Sequence, residues 1–133
     1  MLYNITMEKK NKKVKINWEE AVASLIVDRS HGSRVYFMRD VFEDGCVLAF
    51  WSDSPWGRLH DQDRGWVIIQ PQGEDKKEGI IVDELETYYF GSLNSDYRNW
   101  LKEQKVKHGR VVRRFQRKDP LTGRLVYIWK MHE

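Results

Sequence analysis

Trp18, Ala21, Val22, Leu25 and Ile26 fall at i, i+3, i+4, i+7 and i+8, the spacing of one apolar helix face. Asn17 stands where an N-cap belongs, Glu20 completes a capping-box spacing, and Ser30-His31-Gly32 supplies a stop. The pattern predicts an amphipathic helix over about 17–29. Beyond it the period changes. Arg34–Phe42 alternates and is rich in β-formers, as is Cys46–Trp51, and Asp44-Gly45 between them is a type I′ turn signal. A hairpin over 34–51 follows. Trp66–Gln70 and Ile80–Val82, separated by a charged turn between Gly73 and Gly79, predict a second hairpin over 66–82.

Asp83 offers a cap for a short helix, ELETYYF, in which Glu84 and Glu86 read as first-turn acids favoured by the helix dipole. Asn94 or Ser95 offers a cap for a second, DYRNWLKEQ, with Tyr97, Trp100 and Leu101 on one side. One or two short helices are thus expected over about 83–104. Residues 110–116 and 124–131 read as strands joined through the turn residues Asp119, Pro120 and Gly123, which predicts a long hairpin over 110–131. On its returning strand Leu125, Tyr127, Trp129 and Met131 share a face. On its outgoing strand Arg113 and Arg114 point to opposite faces, so one of them should lie near the core side, either snorkelling or paired with an acid. The expected fold is α+β, a mainly antiparallel sheet built from hairpins with helices packed on it. Residues 1–13 read as a flexible basic arm and 14–133 as one domain, since no repeat or long linker divides the chain.

Totals refine this picture. With 133 residues, 41% of them apolar and 13% aromatic, the chain can build a core, which argues against wholesale disorder. No apolar run reaches the roughly 18 residues of a membrane span, and the N-terminal charge is followed by no apolar stretch of a secretory signal. Asn4-Ile5-Thr6 fits a glycosylation pattern that only export would make meaningful. One cysteine, Cys46, argues against both an internal disulfide and a thiol-based zinc site. A cytoplasmic protein is the expectation, with no membrane partner.

The net charge of +3 hides a segregation. Residues 1–15 hold five Lys and one Glu, residues 98–133 hold eleven Lys or Arg and three acids, and the middle holds seven basic and sixteen acidic side chains. Basic ends around an acidic middle favour a basic contact surface. Lys105, Lys107, Arg110, Arg113, Arg114, Arg117, Lys118 and Arg124 form its densest part, with Tyr127 and Trp129 nearby. Such cations neutralise phosphates and release counterions, and aromatic faces stack on bases. The competing reading is a solvated face that protects a sheet edge or pairs with the acidic middle.

The only stretch resembling chemistry is the polar loop 52–65, where Asp53, His60, Asp61 and Asp63 are of the types that bind hard metals or act as general bases. Their spacing matches no ligand motif. Trp56 and Trp66 read as anchors of that loop. Cys46 reads as a buried structural thiol, since no histidine adjoins it in sequence, and His31, His108 and His132 read as exposed. No phosphate-cradling glycine motif or serine elbow is present.

These residues name no catalytic group, no metal and no cofactor. They point to a small non-enzymatic binding protein that contacts nucleic acid, DNA or RNA, through a basic C-terminal helix and β-hairpin. Helix, turn and basic hairpin over 83–131 also describe the C-terminal part of a winged helix, but no third helix is offered to the major groove. The alternative is a viral or mobile-element inhibitor that binds and occludes a host protein, since Trp, Tyr and Arg are the usual interface anchors. The terminal hairpin's edge would also suit pairing with a second copy as a homodimer.

Overall fold

A computed structural model describes residues 12–26, 34–52, 64–87 and 94–127. Six strands follow one another as an antiparallel meander: β1 (Lys13–Asn17), β2 (Val22–Leu25), β3 (Val35–Phe42), β4 (Val47–Ser52), β5 (Arg64–Gln72) and β6 (Glu78–Thr87). Each pairs with the next, and β6 returns to pair with β1, so the sheet closes on itself as a six-stranded barrel. A 15-residue helix, α1 (Asn94–His108), then leads into β7 (Val111–Arg114), β8 (Gln116–Lys118) and β9 (Leu125–Tyr127).

The α+β expectation is therefore corrected: the described residues are mostly β, with a closed barrel and, among them, one helix. The predicted helix over 17–29 is the largest revision. Asn17 does cap, but it caps a turn: its Oδ1 accepts from the amides of Glu19 and Glu20, both at 3.1 Å. Ala21 takes φ of 58°, the chain reverses, and Val22–Leu25 lies antiparallel to β1. As a helix, this segment would bury one stripe. As β1 and β2 it pairs with β6 on one side and β3 on the other, which removes two sheet edges at once.

The inside of the barrel is filled by residues matched large against small across neighbouring strands. Ala23 faces Tyr36, and Ala49 faces both Met38 and Val67. Val14, Ile16, Val47, Trp51, Ile69 and Ile81 complete this cluster, all buried. Outside the barrel, Phe42, Leu48, Trp66 and Ile68 form a second cluster, covered by Tyr97, Trp100 and Leu101 of α1. The strands β4 and β5 are thus buried on both faces, which explains their nearly unbroken apolar runs VLAFW and WVII.

The 34–51 hairpin forms, but with different turn chemistry. Gly45 donates to the carbonyl of Phe42 and has φ of 92°, while Asp44 does not share the positive φ a type I′ turn requires. This is a type I turn closed by a left-handed glycine. The 66–82 hairpin also forms and is longer than expected, since the ELETYYF segment is strand as far as Thr87 and not helix. Glu84 consequently sits on β6, 3.3 Å from Lys12, and is no helix-dipole acid. The helix predicted from Asn94 or Ser95 is α1, extended to His108.

The 110–131 hairpin is divided. β7 does not meet the returning strand but pairs with the second half of β3, matching Asp40 with Arg114 and Val41 with Arg113. Only β8 and β9 pair with each other, around a turn in which Asp119 accepts from Leu121 and Thr122 and Gly123 has φ of 74°. Trp129 and Met131 lie outside the described residues, as do most of the arm 1–13 and the loop residues Asp53, Trp56, His60, Asp61 and Asp63. Among the described residues no helix is long and apolar enough to cross a membrane.

Candidate nucleic-acid interface

The basic residues follow one path along the chain. Lys105 and Lys107 occupy the last turn of α1, where cations suit the helix dipole. Gly109 ends the helix at φ of 93°, its amide donating to the carbonyl of Lys105. Arg110, Arg113 and Arg114 then line the β7 segment, and Arg117, Lys118 and Arg124 sit on the β8–β9 hairpin. All eight side chains are exposed.

They are not equally free. Arg110 Nε lies 3.0 Å from Glu43, Lys107 Nζ lies 3.7 Å from Asp83, and Arg114 Nε lies 3.8 Å from Asp40. Arg117 donates to the carbonyl of Glu19 at 3.0 Å. Lys105, Arg113, Lys118 and Arg124 meet no carboxylate within ion-pair distance among the described residues. The acidic middle of the chain thus neutralises part of the surface and leaves the remainder uncompensated. Of the two adjacent arginines, Arg114 turns to the buried acid, while Arg113 stays exposed with its guanidinium 4.4 Å from the ring of Phe115.

Beneath this surface lies a polar cluster with no signal in the strand alternation. The register of β3 shifts between Met38 and Asp40, which places Arg39 in a bulge and turns Asp40 under α1 and β7. Arg39 donates to the hydroxyl of Tyr97 and stands over the rings of Tyr127 at 4.5 Å and Trp66 at 5.2 Å. Burial opposes its charge, yet Tyr97, Tyr127 and Asp40 together hold its pKa above the ordinary guanidinium value. Burial pushes the Asp40 carboxyl up, and the attraction of Arg39, Arg114 and Lys105 only partly offsets that. Burial also raises the Tyr97 phenol. The cluster holds Tyr97 and Tyr127 in place and carries the hairpin on the barrel.

Gln104 is fully buried one turn along and donates to Asp83 at 2.7 Å. Tyr97, Trp100, Leu101, Gln104 and His108 are spaced i, i+3, i+4, i+7 and i+11, one stripe of α1. That spacing marks Gln104 and His108 as facing the barrel, a signal the apolar pattern alone passes over.

His108 is accordingly not an exposed side chain. Its Nδ1 lies 2.6 Å from Asp44 Oδ2, its ring lies 5.7 Å from that of Phe42, and the buried thiol of Cys46 stands beside both. Burial and the Asp44 carboxylate push the thiol up to about 12. Burial works on Asp44 in the upward direction, but the amide of Cys46 and the His108 ring hold it below the usual carboxylate range. The arrangement resembles a nucleophilic triad in residue type only. Burial, and then the Asp44 carboxylate beside it, keep the thiol protonated at neutral pH. Cys46 is thus the buried thiol expected, now with a histidine beside it.

Comparison of the chain with family models, with curated proteins and with solved structures returns no match.

Proposed function

We propose that this protein is a non-enzymatic binding protein that contacts nucleic acid through the last turn of α1, β7 and the β8–β9 hairpin. One observation carries the reading: Lys105, Arg113, Lys118 and Arg124 lie exposed, in chain order from the end of α1 to the β8–β9 hairpin, with no carboxylate within ion-pair distance among the described residues. Unpaired cations are the groups that neutralise phosphates and release counterions. The arginines already paired with Glu43 and Asp40 contribute less, because each must first exchange one anion for another.

The test is fluorescence anisotropy with labelled single-stranded and duplex oligonucleotides over a salt series. Four neutralised phosphates on duplex DNA give a log–log slope of about −3.6. Binding with such a slope, abolished by reversing Arg113, Lys118 and Arg124 to Glu, supports the reading. No binding at low salt overturns it.

A second reading rests on the aliphatic side chains set among those cations. Val106, Val112, Leu121 and Leu125 are exposed to 86, 60, 93 and 68%. Phosphate backbones gain nothing from aliphatic surface, whereas an acidic protein with an apolar patch would, as expected for an inhibitor that covers a host protein. A partner that survives nuclease treatment and is lost on Val112→Asp or Leu125→Asp favours this second reading.

A further inference from the structure

We propose that Asp44, Cys46 and His108 form a binding site for a thiophilic divalent cation of the zinc class. Three donor types that zinc accepts, a carboxylate oxygen, a thiolate sulfur and an imidazole nitrogen, converge here from two separate parts of the chain. Their ligand atoms lie within 4.8 Å of one another. Bond lengths of about 2.0–2.3 Å set tetrahedral donors about 3.3–3.7 Å apart, so the 2.6 Å contact between His108 Nδ1 and Asp44 Oδ2 would open by roughly 1 Å.

The two segments that bring these donors are fastened to each other by the backbone. The amide of Glu43 donates to the carbonyl of Arg110 at 2.9 Å, and the amide of Asp44 donates to the carbonyl of His108 at 3.3 Å. The amide of Arg110 returns a bond to Glu43 Oε1 at 2.8 Å. Gly109 fits between them in a left-handed conformation, and a Cβ on it would come within 3.0 Å of the Glu43 side chain. The ligand positions are therefore set before any ion arrives, and only side-chain rotation separates the hydrogen-bonded arrangement from the coordinating one.

Access and charge also suit a cation. Cys46 is buried and the His108 side chain is 15% exposed, while Asp44 is 41% exposed and opens the group to solvent. Three protein donors leave a fourth position for water. Binding replaces the thiol proton by the metal and releases it to solvent, so the sulfur becomes a ligand without any change of oxidation state. The resulting thiolate and carboxylate balance the two positive charges of the ion. The hydrogen bonds among these groups in the free protein are the ones a metal would displace.

The experiment is titration of the whole protein with Co²⁺ and then Zn²⁺. Cys46 is the only cysteine in the chain, so a thiolate-to-cobalt charge-transfer band reports this site alone and not the acidic side chains of the 52–65 loop. The expected result is one equivalent of Co²⁺ with that band and tetrahedral d–d bands, displaced by Zn²⁺, with a proton released per ion bound. Cys46→Ser removes the charge-transfer band, and His108→Gln, a change at the partly exposed ligand that keeps the fold, weakens zinc binding at least tenfold. Cobalt binding without a thiolate band, zinc affinity unchanged in His108→Gln, or no binding of either ion overturns the proposal.

Discussion

The amide of Phe115 donates to the carbonyl of Arg39 at 2.9 Å, tying the residue just after β7 to the bulge residue of β3. The bulge is where β3 changes partner. Met38 just before it donates to the carbonyl of Ala21, and Asp40 just after it is matched with Arg114 of β7. β2 is too short to cover all of β3, and β7 takes over where it stops. Phe115 then turns inward, joins the barrel cluster and packs against Trp18 with ring centroids 6.2 Å apart.

Phe115→Ala should therefore cost about 3–5 kcal/mol, the usual range for removing a buried aromatic side chain. Phe115→Leu, which keeps most of the volume, should cost less than half of that. Urea denaturation followed by tryptophan fluorescence measures both. A loss below about 1 kcal/mol for the alanine variant would mean that the barrel is closed without β7.

Gly65 allows a second test of packing. A Cβ there would lie 2.5 Å from Trp51 Nε1, inside the barrel wall, and Trp51 is itself held by the Arg34 guanidinium 3.7 Å above its ring. Gly65→Ala should destabilise by about 1–3 kcal/mol through overpacking, although alanine is ordinarily favourable over glycine in a strand. A melting temperature equal to or above that of the parent would show that Trp51 has room to move.

What the sequence discloses follows from the range of each interaction. The two hairpins over 34–51 and 66–82 and the helix from Asn94 rest on local signals, a glycine turn, runs of β-formers and an apolar stripe, and these are visible one residue at a time. The β1–β2 segment carries two local signals that point to a helix, and both are real: the Asn17 side chain caps, and the apolar spacing exists. They lose to barrel closure, which depends on β6 some sixty residues away and leaves no local trace. The basic path is legible because charge is compositional. The Arg39–Tyr97 and Asp44–His108 contacts are not, because a bulge at Arg39 and a stripe on α1 place them, and neither is set by neighbouring residues.

Asp40 gives a prediction in pH. It is buried, and neither Arg39 Nε at 3.7 Å nor Arg114 Nε at 3.8 Å is close enough for a good hydrogen bond. Burial raises its folded pKa above the unfolded value, so the folded protein binds that proton more tightly. The associated stability is present below the ordinary carboxylate range and is lost as pH rises through the folded value. Glu43 shifts the opposite way, lowered by the backbone amide and then the side chain of Arg110, and loses its contribution as pH falls. The two effects overlap in the parent, so the difference between parent and Asp40→Asn isolates Asp40. The stability of the asparagine variant relative to the parent should rise with pH from the ordinary carboxylate range and then level off. A difference that falls with pH would show that the Asp40 charge is net stabilising.

The ion pair between Arg110 and Glu43 gives the last prediction, which rests on the nucleic-acid reading. Arg113 is unpaired and Arg110 is held at 3.0 Å by Glu43, so the two arginines should behave differently in the same binding assay. Arg113→Ala should weaken binding uniformly across sequences and reduce the salt slope by about 1. Glu43→Gln should do the reverse: it removes the competing carboxylate, frees Arg110 for a phosphate, and makes both the affinity and the slope larger. Its amide oxygen can still accept the backbone N–H of Arg110, so the turn that Glu43 organises is kept. Tighter binding in Glu43→Gln, with the fold retained, would mark the β3–β4 turn as an intramolecular competitor for nucleic acid. Equal losses for Arg110→Ala and Arg113→Ala, with no gain for Glu43→Gln, would show that the pairing does not govern which cations are available.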